Sequence, residues 1–177
     1  LKELTQKQES NPLLIEITML NEGGPSVELN PNLEFMHAFD IMDYLFELTP
    51  TAETSCRVND FHQVSICYGD SLHSVMNLGW HNKPAERYIN IKYPKLKIRC
   101  DLLRYSIRVE ENNSFDTFNL PHEKTSLRNE MLAFLDYVTQ DSECPIPIES
   151  AIKTLKTALR TSPVMRREKP RVAVIGG

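Results

Sequence analysis

Apolar residues recur at helical spacing through residues 34–48. Phe35, Ala38, Phe39, Met42, Leu45 and Phe46 fall on one face of a helix, while His37, Asp40, Tyr44 and Glu47 form a second, polar stripe. The spacing predicts a helix that packs by one side and displays a line of titratable groups on another. Asn32 is its expected cap, and Thr49-Pro50 its end. Residues 1–8 read as the tail of an earlier helix, and residues 13–20 as a strand with Ile15, Ile17 and Met19 facing one way and Glu16 and Thr18 the other. After the central helix come short strands, expected at 54–58, 63–68, 72–80, 88–93, 96–100 and 105–110. Gly69-Asp70 signals a hairpin and Pro94 a break. Short links between consecutive strands argue for a largely antiparallel meander, because parallel pairs need long crossovers.

Two helices are expected to follow. Residues 126–140 carry Leu127, Met131, Phe134, Leu135 and Val138 as an apolar face, and residues 148–161 carry Ile148, Ala151, Ile152, Leu155 and Leu159, with Pro163 as the stop. The fold class is therefore α+β: an open, predominantly antiparallel β-sheet with helices packed on one face, spanning residues 1–162.

Composition narrows the function classes. The 177 residues suffice for one compact domain, and 41% hydrophobic with 25% charged residues is an ordinary globular balance. A net charge of −4 argues against a nucleic-acid partner. No run is long and apolar enough to span a bilayer, so no membrane role is expected. Cys56, Cys67, Cys100 and Cys144 are scattered without a Cys-x-x-Cys pair, which fits neither a zinc site nor a dense disulfide framework. Reduced thiols in a cytoplasmic protein are the expectation. His62, His73, His81 and His122 stand at no metal-ligand spacing, and no metal is expected. Asn112-Asn113-Ser114 matches a glycosylation sequon, without a secretory signal to support it.

The chain opens on Leu1-Lys2-Glu3-Leu4, in the middle of something helical, and closes on Val172-Ala173-Val174-Ile175-Gly176-Gly177. Both ends look cut. Residues 163–171 read as a basic linker. The apolar run from Val172 with Gly176 and Gly177 reads as the first strand and opening glycines of a further nucleotide-binding domain, or as a plain apolar strand ending at a glycine.

The order of elements resembles the C-terminal domain of the Gfo/Idh/MocA oxidoreductases. Leu1-Lys2-Glu3-Leu4 through Ile15 looks like that family's joining helix and first strand. His37-Ala38-Phe39-Asp40-Ile41-Met42-Asp43-Tyr44-Leu45 is similar to its His-x-x-Asp helix. Residues 63–80 resemble its strand, Gly-containing turn and strand, and residues 130–136 with 147–151 its closing helices. The resemblance implies a substrate-binding and oligomerisation domain of an NAD- or NADP-dependent enzyme acting on a sugar, cyclitol or related polyol. It also implies a cofactor held mainly by a nucleotide-binding domain elsewhere in the polypeptide, and a homo-oligomer formed through the sheet face. In that setting His37 contacts or deprotonates the substrate hydroxyl, a task suited to an imidazole because its ordinary titration range lies near neutrality. Asp40, Tyr44, Trp80 and Lys83 are the candidate substrate contacts, and Gly176 and Gly177 the candidate cofactor contacts. Family members often place Asp four residues before the His and a small residue two before it, where this chain has Leu33 and Phe35. The alternative is a degenerate scaffold that keeps the fold and dimerises its parent polypeptide without catalysis.

Overall fold

The computed structural model describes residues 1–24, 30–120, 126–140, 144 and 147–162. The expected linker at 163–171, the strand from Val172, and Gly176 and Gly177 lie outside the described residues. In chain order the elements are α1 (Lys2–Gln6), β1 (Leu14–Glu22), α2 (Pro31–Glu34), α3 (His37–Phe46), β2 (Ala52–Val58), β3 (Phe61–Tyr68), β4 (Leu72–His81), β5 (Glu86–Lys92), β6 (Leu96–Asp101), β7 (Ser106–Glu111), β8 (Ser114–Asn119), α4 (Ser126–Gln140) and α5 (Ile148–Arg160). The eight strands form one sheet in the order β2-β3-β4-β1-β5-β6-β7-β8. The α+β class with an open, mostly antiparallel sheet is what the pattern of apolar positions predicts.

One pairing breaks the expected meander. β1 lies between β4 and β5, parallel to the former and antiparallel to the latter, so Ile17 stands beside Met76 on one side and Ile89 on the other. All other neighbours run antiparallel. Alternation along each strand then separates two faces. Ile15, Ile17, Met19, Val64, Ile66, Met76, Leu78, Ile89, Ile91, Ile98 and Ile107 are buried on the inner face, against Ala38, Phe39, Met42 and Leu45 of α3. The other face is polar and open.

The central helix is not continuous over 34–48. Pro31 occupies the first turn of α2, as its fixed φ favours, and Asn30 rather than Asn32 is the cap, its Oδ1 accepting the Asn32 N–H at 3.0 Å. The chain turns at Phe35 and Met36 before α3 begins at His37, and α3 ends at Phe46 with Glu47 left-handed. Asn32 has a different task. Fully buried, its Nδ2 donates to the Ala158 carbonyl at 2.9 Å and to Thr161 Oγ1 at 2.8 Å, fastening α2 to the end of α5.

The closing helices also depart from expectation. The apolar stripe of α5 (Ile148, Ile152, Leu155, Leu159) is exposed, and its buried face consists of Thr154, Thr157, Ala158 and, just past its end, Thr161. Met131, Phe134, Leu135 and Val138 of α4 are exposed as well. β8 was not foreseen. Phe115 and Phe118 are three residues apart and give no alternation, and the strand follows a two-residue turn at Asn112 and Asn113, both with positive φ, as type I′ hairpins require.

Two stability predictions follow from the buried polar side chains. Asn32→Asp keeps the side-chain shape but turns donors into a carboxylate facing the Ala158 carbonyl. It is expected to destabilise the fold by about 3 kcal/mol or more, read from urea unfolding. His62 is fully buried with neither ring nitrogen hydrogen-bonded, and it stands across from Arg57. Burial first, and the Arg57 guanidinium second, push its pKa down from 6.5 to about 4. The unfolded chain takes up this proton at the ordinary value and the folded chain only near 4. The contribution is therefore complete above pH 6.5 and is lost as pH falls towards 4. About 3 kcal/mol should disappear across that window, and His62→Leu should retain most of it when unfolding is compared at the two ends.

Candidate functional site

α3 is held by its apolar side, so its polar positions are fixed in place without touching the core. His37 is the first residue of α3, exposed, and it makes no side-chain hydrogen bond among the described residues. Just before it, Phe35 turns inward and meets Trp80 edge to face, with ring centroids 5.1 Å apart at 62°. Trp80 is only 8% exposed and forms part of the core wall. Its backbone is set by the residue before it. Gly79 has φ +141°, and a Cβ there would lie 2.0 Å from the Asp60 carbonyl that accepts the Trp80 N–H at 3.1 Å. Only glycine permits that approach. β4 ends at His81, whose carbonyl accepts the Gly23 N–H at 2.9 Å, and Lys83 lies exposed in the bend that follows. The parallel β1–β4 pair thus brings the strand ends, the Phe35–Trp80 contact and the bend bearing Lys83 to one end of the sheet, and His37 begins α3 two residues after Phe35.

The remaining predicted contacts lie further along α3. Tyr44 is seven residues beyond His37, or roughly 10 Å along the axis. Asp40 is half-buried and accepts from Thr154 Oγ1 at 3.5 Å. Tyr44 is 62% exposed, with the Lys2 ammonium 4.3 Å from its ring centre, and Lys2 also reaches Glu47 Oε1 at 3.4 Å. Asp40, Tyr44 and Glu47 line a hollow of about 500 Å³ with Lys2 of α1 and Ser150 of α5, and His37 is outside that lining. The structure therefore separates the candidates: Trp80 lies beside Phe35 just before α3, Asp40 and Tyr44 stand at its middle, and Lys83 lies in the bend after β4.

Asp43 is not among the candidates that the sequence pattern names. It accepts from Ser150 Oγ at 2.9 Å and pairs with the Lys153 ammonium, tying α3 to α5. Its position three residues after Asp40 was the available signal. Among the described residues there is no cluster of three His, Cys, Asp or Glu side chains that could hold a metal ion. No helix is long and apolar enough to cross a membrane among them. The described glycines lie after β1 (Gly23, Gly24), in a hairpin (Gly69) and within β4 (Gly79). None of them makes a strand–turn–helix cradle for a pyrophosphate, so these residues do not fit a dinucleotide's main binding surface.

No family model matches the sequence, and no curated protein matches it. Solved structures do. UDP-N-acetylglucosamine 3-dehydrogenase GnnA from Acidithiobacillus ferrooxidans superposes with a TM-score of 0.79 at 15% identity, over 90% of this chain and 55% of that one. A dehydrogenase (MviM) from Clostridium difficile gives 0.72 at 12%, over 90% and 56%. The 3-ketoreductase KijD10 from Actinomadura kijaniata, in complex with TDP-benzene and NADP, gives 0.71 at 8%, over 90% and 57%. The chain spans about half the length of the structures it matches. It has the fold of the C-terminal domain of the Gfo/Idh/MocA-type dehydrogenases and oxidoreductases.

Proposed function

We propose that this chain is the substrate-binding and oligomerisation part of a larger NAD(P)-dependent oxidoreductase that acts on a carbinol carbon of a sugar, cyclitol or related polyol derivative. The observation that carries the reading is His37: an exposed imidazole without a side-chain partner among the described residues, at the head of a helix whose other side is anchored in the core. In this reading the nicotinamide, bound mainly by a nucleotide-binding domain outside this chain, supplies the hydride chemistry. A ring nitrogen of His37 takes the proton of the substrate hydroxyl, or returns it in the opposite direction. Lys83 offers a point charge to an oxygen of the substrate at the same end of the sheet. Trp80 and Phe35 form an apolar wall, and Asp40 and Tyr44 offer polar contacts to a substrate long enough to reach the middle of α3. The open sheet face carries association with a second copy. The part of that face used is β3–β4, outside strands β5–β7, where Gln63 donates to Asn77 at 2.9 Å. The neighbouring structures support the substrate class, since they include enzymes named for UDP-N-acetylglucosamine dehydrogenation and for 3-ketoreduction.

A second reading is favoured by one feature of the same residue. No carboxylate orients His37 among the described residues, and a base acts well only when positioned. A non-catalytic scaffold that dimerises its parent polypeptide fits that feature. His37→Ala in the polypeptide that joins this chain to its nucleotide-binding domain separates the two. The enzyme reading expects turnover to fall by about 100-fold or more with nicotinamide affinity unchanged. Unaltered turnover would leave only the scaffold.

A further inference from the structure

On the open face, away from the helices, β5, β6 and β7 bring like charges together. Lys92 stands directly across from Lys97, and Arg99 directly across from Arg108. Like charges facing each other on adjacent strands destabilise the pairing. This chain has an acidic balance of −4, so the cluster is not a by-product of basic composition. Two residues apart along β6, Lys97 and Arg99 place both cationic pairs within roughly 7 Å of each other. Their opposing strands add only one strand spacing.

The arginines are held in a manner suited to receiving an anion. The Arg99 guanidinium lies 4.2 Å from the centre of the Tyr88 ring, and that of Arg108 lies 4.0 Å from the centre of the Phe115 ring. Stacking fixes the plane of a guanidinium and leaves the N–H groups along its rim available. Among the described residues neither arginine has a carboxylate partner, and of the four cations only Lys97 has one, Glu110 Oε1 at 3.3 Å. The four cations surround a hollow of about 430 Å³, within the size range of small-molecule sites. Two carboxylates share its lining, Glu110 and Glu16, and both oxygens of Glu16 already accept amide hydrogens from Asn77 and Asn90. Four cations face two carboxylates, which leaves an excess of positive charge.

We propose that this hollow binds a phosphorylated small molecule carrying two or more negative charges, at a site on the opposite side of the sheet from His37. Its phosphate oxygens accept from the rims of Arg99 and Arg108 and from Lys92, while Asn90 at the floor meets the uncharged part. Calorimetric titration of the chain with inorganic pyrophosphate, at ionic strength held constant with sodium chloride, tests it. One saturable site per chain is expected. The Arg99→Gln/Arg108→Gln double variant should weaken it by about tenfold or more. That variant removes a repulsive pair, so its melting temperature without ligand should not fall appreciably, and loss of binding is then not loss of fold. His37→Ala should bind pyrophosphate like the parent, which keeps this site separate from the proposed catalytic one. No saturable binding by the parent chain, or equal binding by the double variant, overturns the proposal.

Discussion

The insertion of β1 between β4 and β5 governs the arrangement. The hairpin stack β2–β3–β4 and the stack β5–β8 are joined in one sheet only through this strand, whose Ile15 and Ile17 are fully buried. Because β1 and β4 are parallel, both finish at one end of the sheet, Glu22 beside His81. A parallel pair needs a long crossover, and here α2, α3, β2 and β3 provide it. That route lays α3 across the inner face and lets Phe35, at the break before His37, come down on Trp80. An antiparallel β1–β4 pair would have sent the two strand termini to opposite ends. The bend bearing Lys83 and the β1 terminus would then have parted.

Much of this was legible because burial imposes a period. Strands with a buried face alternate well enough to be placed from sequence, as Val64, Ile66 and Tyr68 do in β3 and Ile89 and Ile91 in β5. β8 has no buried residue, so nothing forces alternation on it. The clue was the Asn112-Asn113 turn, which also spells a sequon. The break at Phe35 was illegible for another reason. A helix through residues 34–48 satisfies the apolar spacing, and only the position of Trp80 on a strand distant in sequence gives Phe35 a reason to leave it. Long-range pairing decided the insertion of β1 too, since a strand's own pattern does not say which neighbour it takes. For the site, the exposure of His37 followed from its place on the polar stripe. The partners of Asp40 and Tyr44 did not, because they come from α5 and α1.

The polar stripe of α3 divides accordingly. Its later part is tied down: Asp43 to Ser150 and Lys153, Tyr44 and Glu47 to Lys2. These contacts hold α3 against α5 and α1 from the solvent side while the sheet holds it from below. Its first residue, His37, has no such tie among the described residues. The sheet and the two flanking helices thus fix α3 along its middle and end, and its first turn is fixed through Phe35 and Trp80.

α5 shows why amphipathicity alone misleads about direction. The helix has two stripes at helical spacing, and intuition sends the apolar one (Ile148, Ile152, Leu155, Leu159) inward. The buried stripe is instead Thr154, Thr157, Ala158 and Thr161. Threonine is tolerated there because its hydroxyl can bond to its own helix: Thr157 Oγ1 donates to the Lys153 carbonyl at 3.1 Å and Thr161 Oγ1 to the Thr157 carbonyl at 2.9 Å. With those donors satisfied, the face behaves as a row of methyl groups. Ala158 is small enough for the Asn32 amide to reach its backbone carbonyl, a contact that a leucine at that position would obstruct. The inner stripe was therefore selected for close approach and for hydrogen bonding to α2, not for apolar area, and a hydrophobic pattern does not register either property.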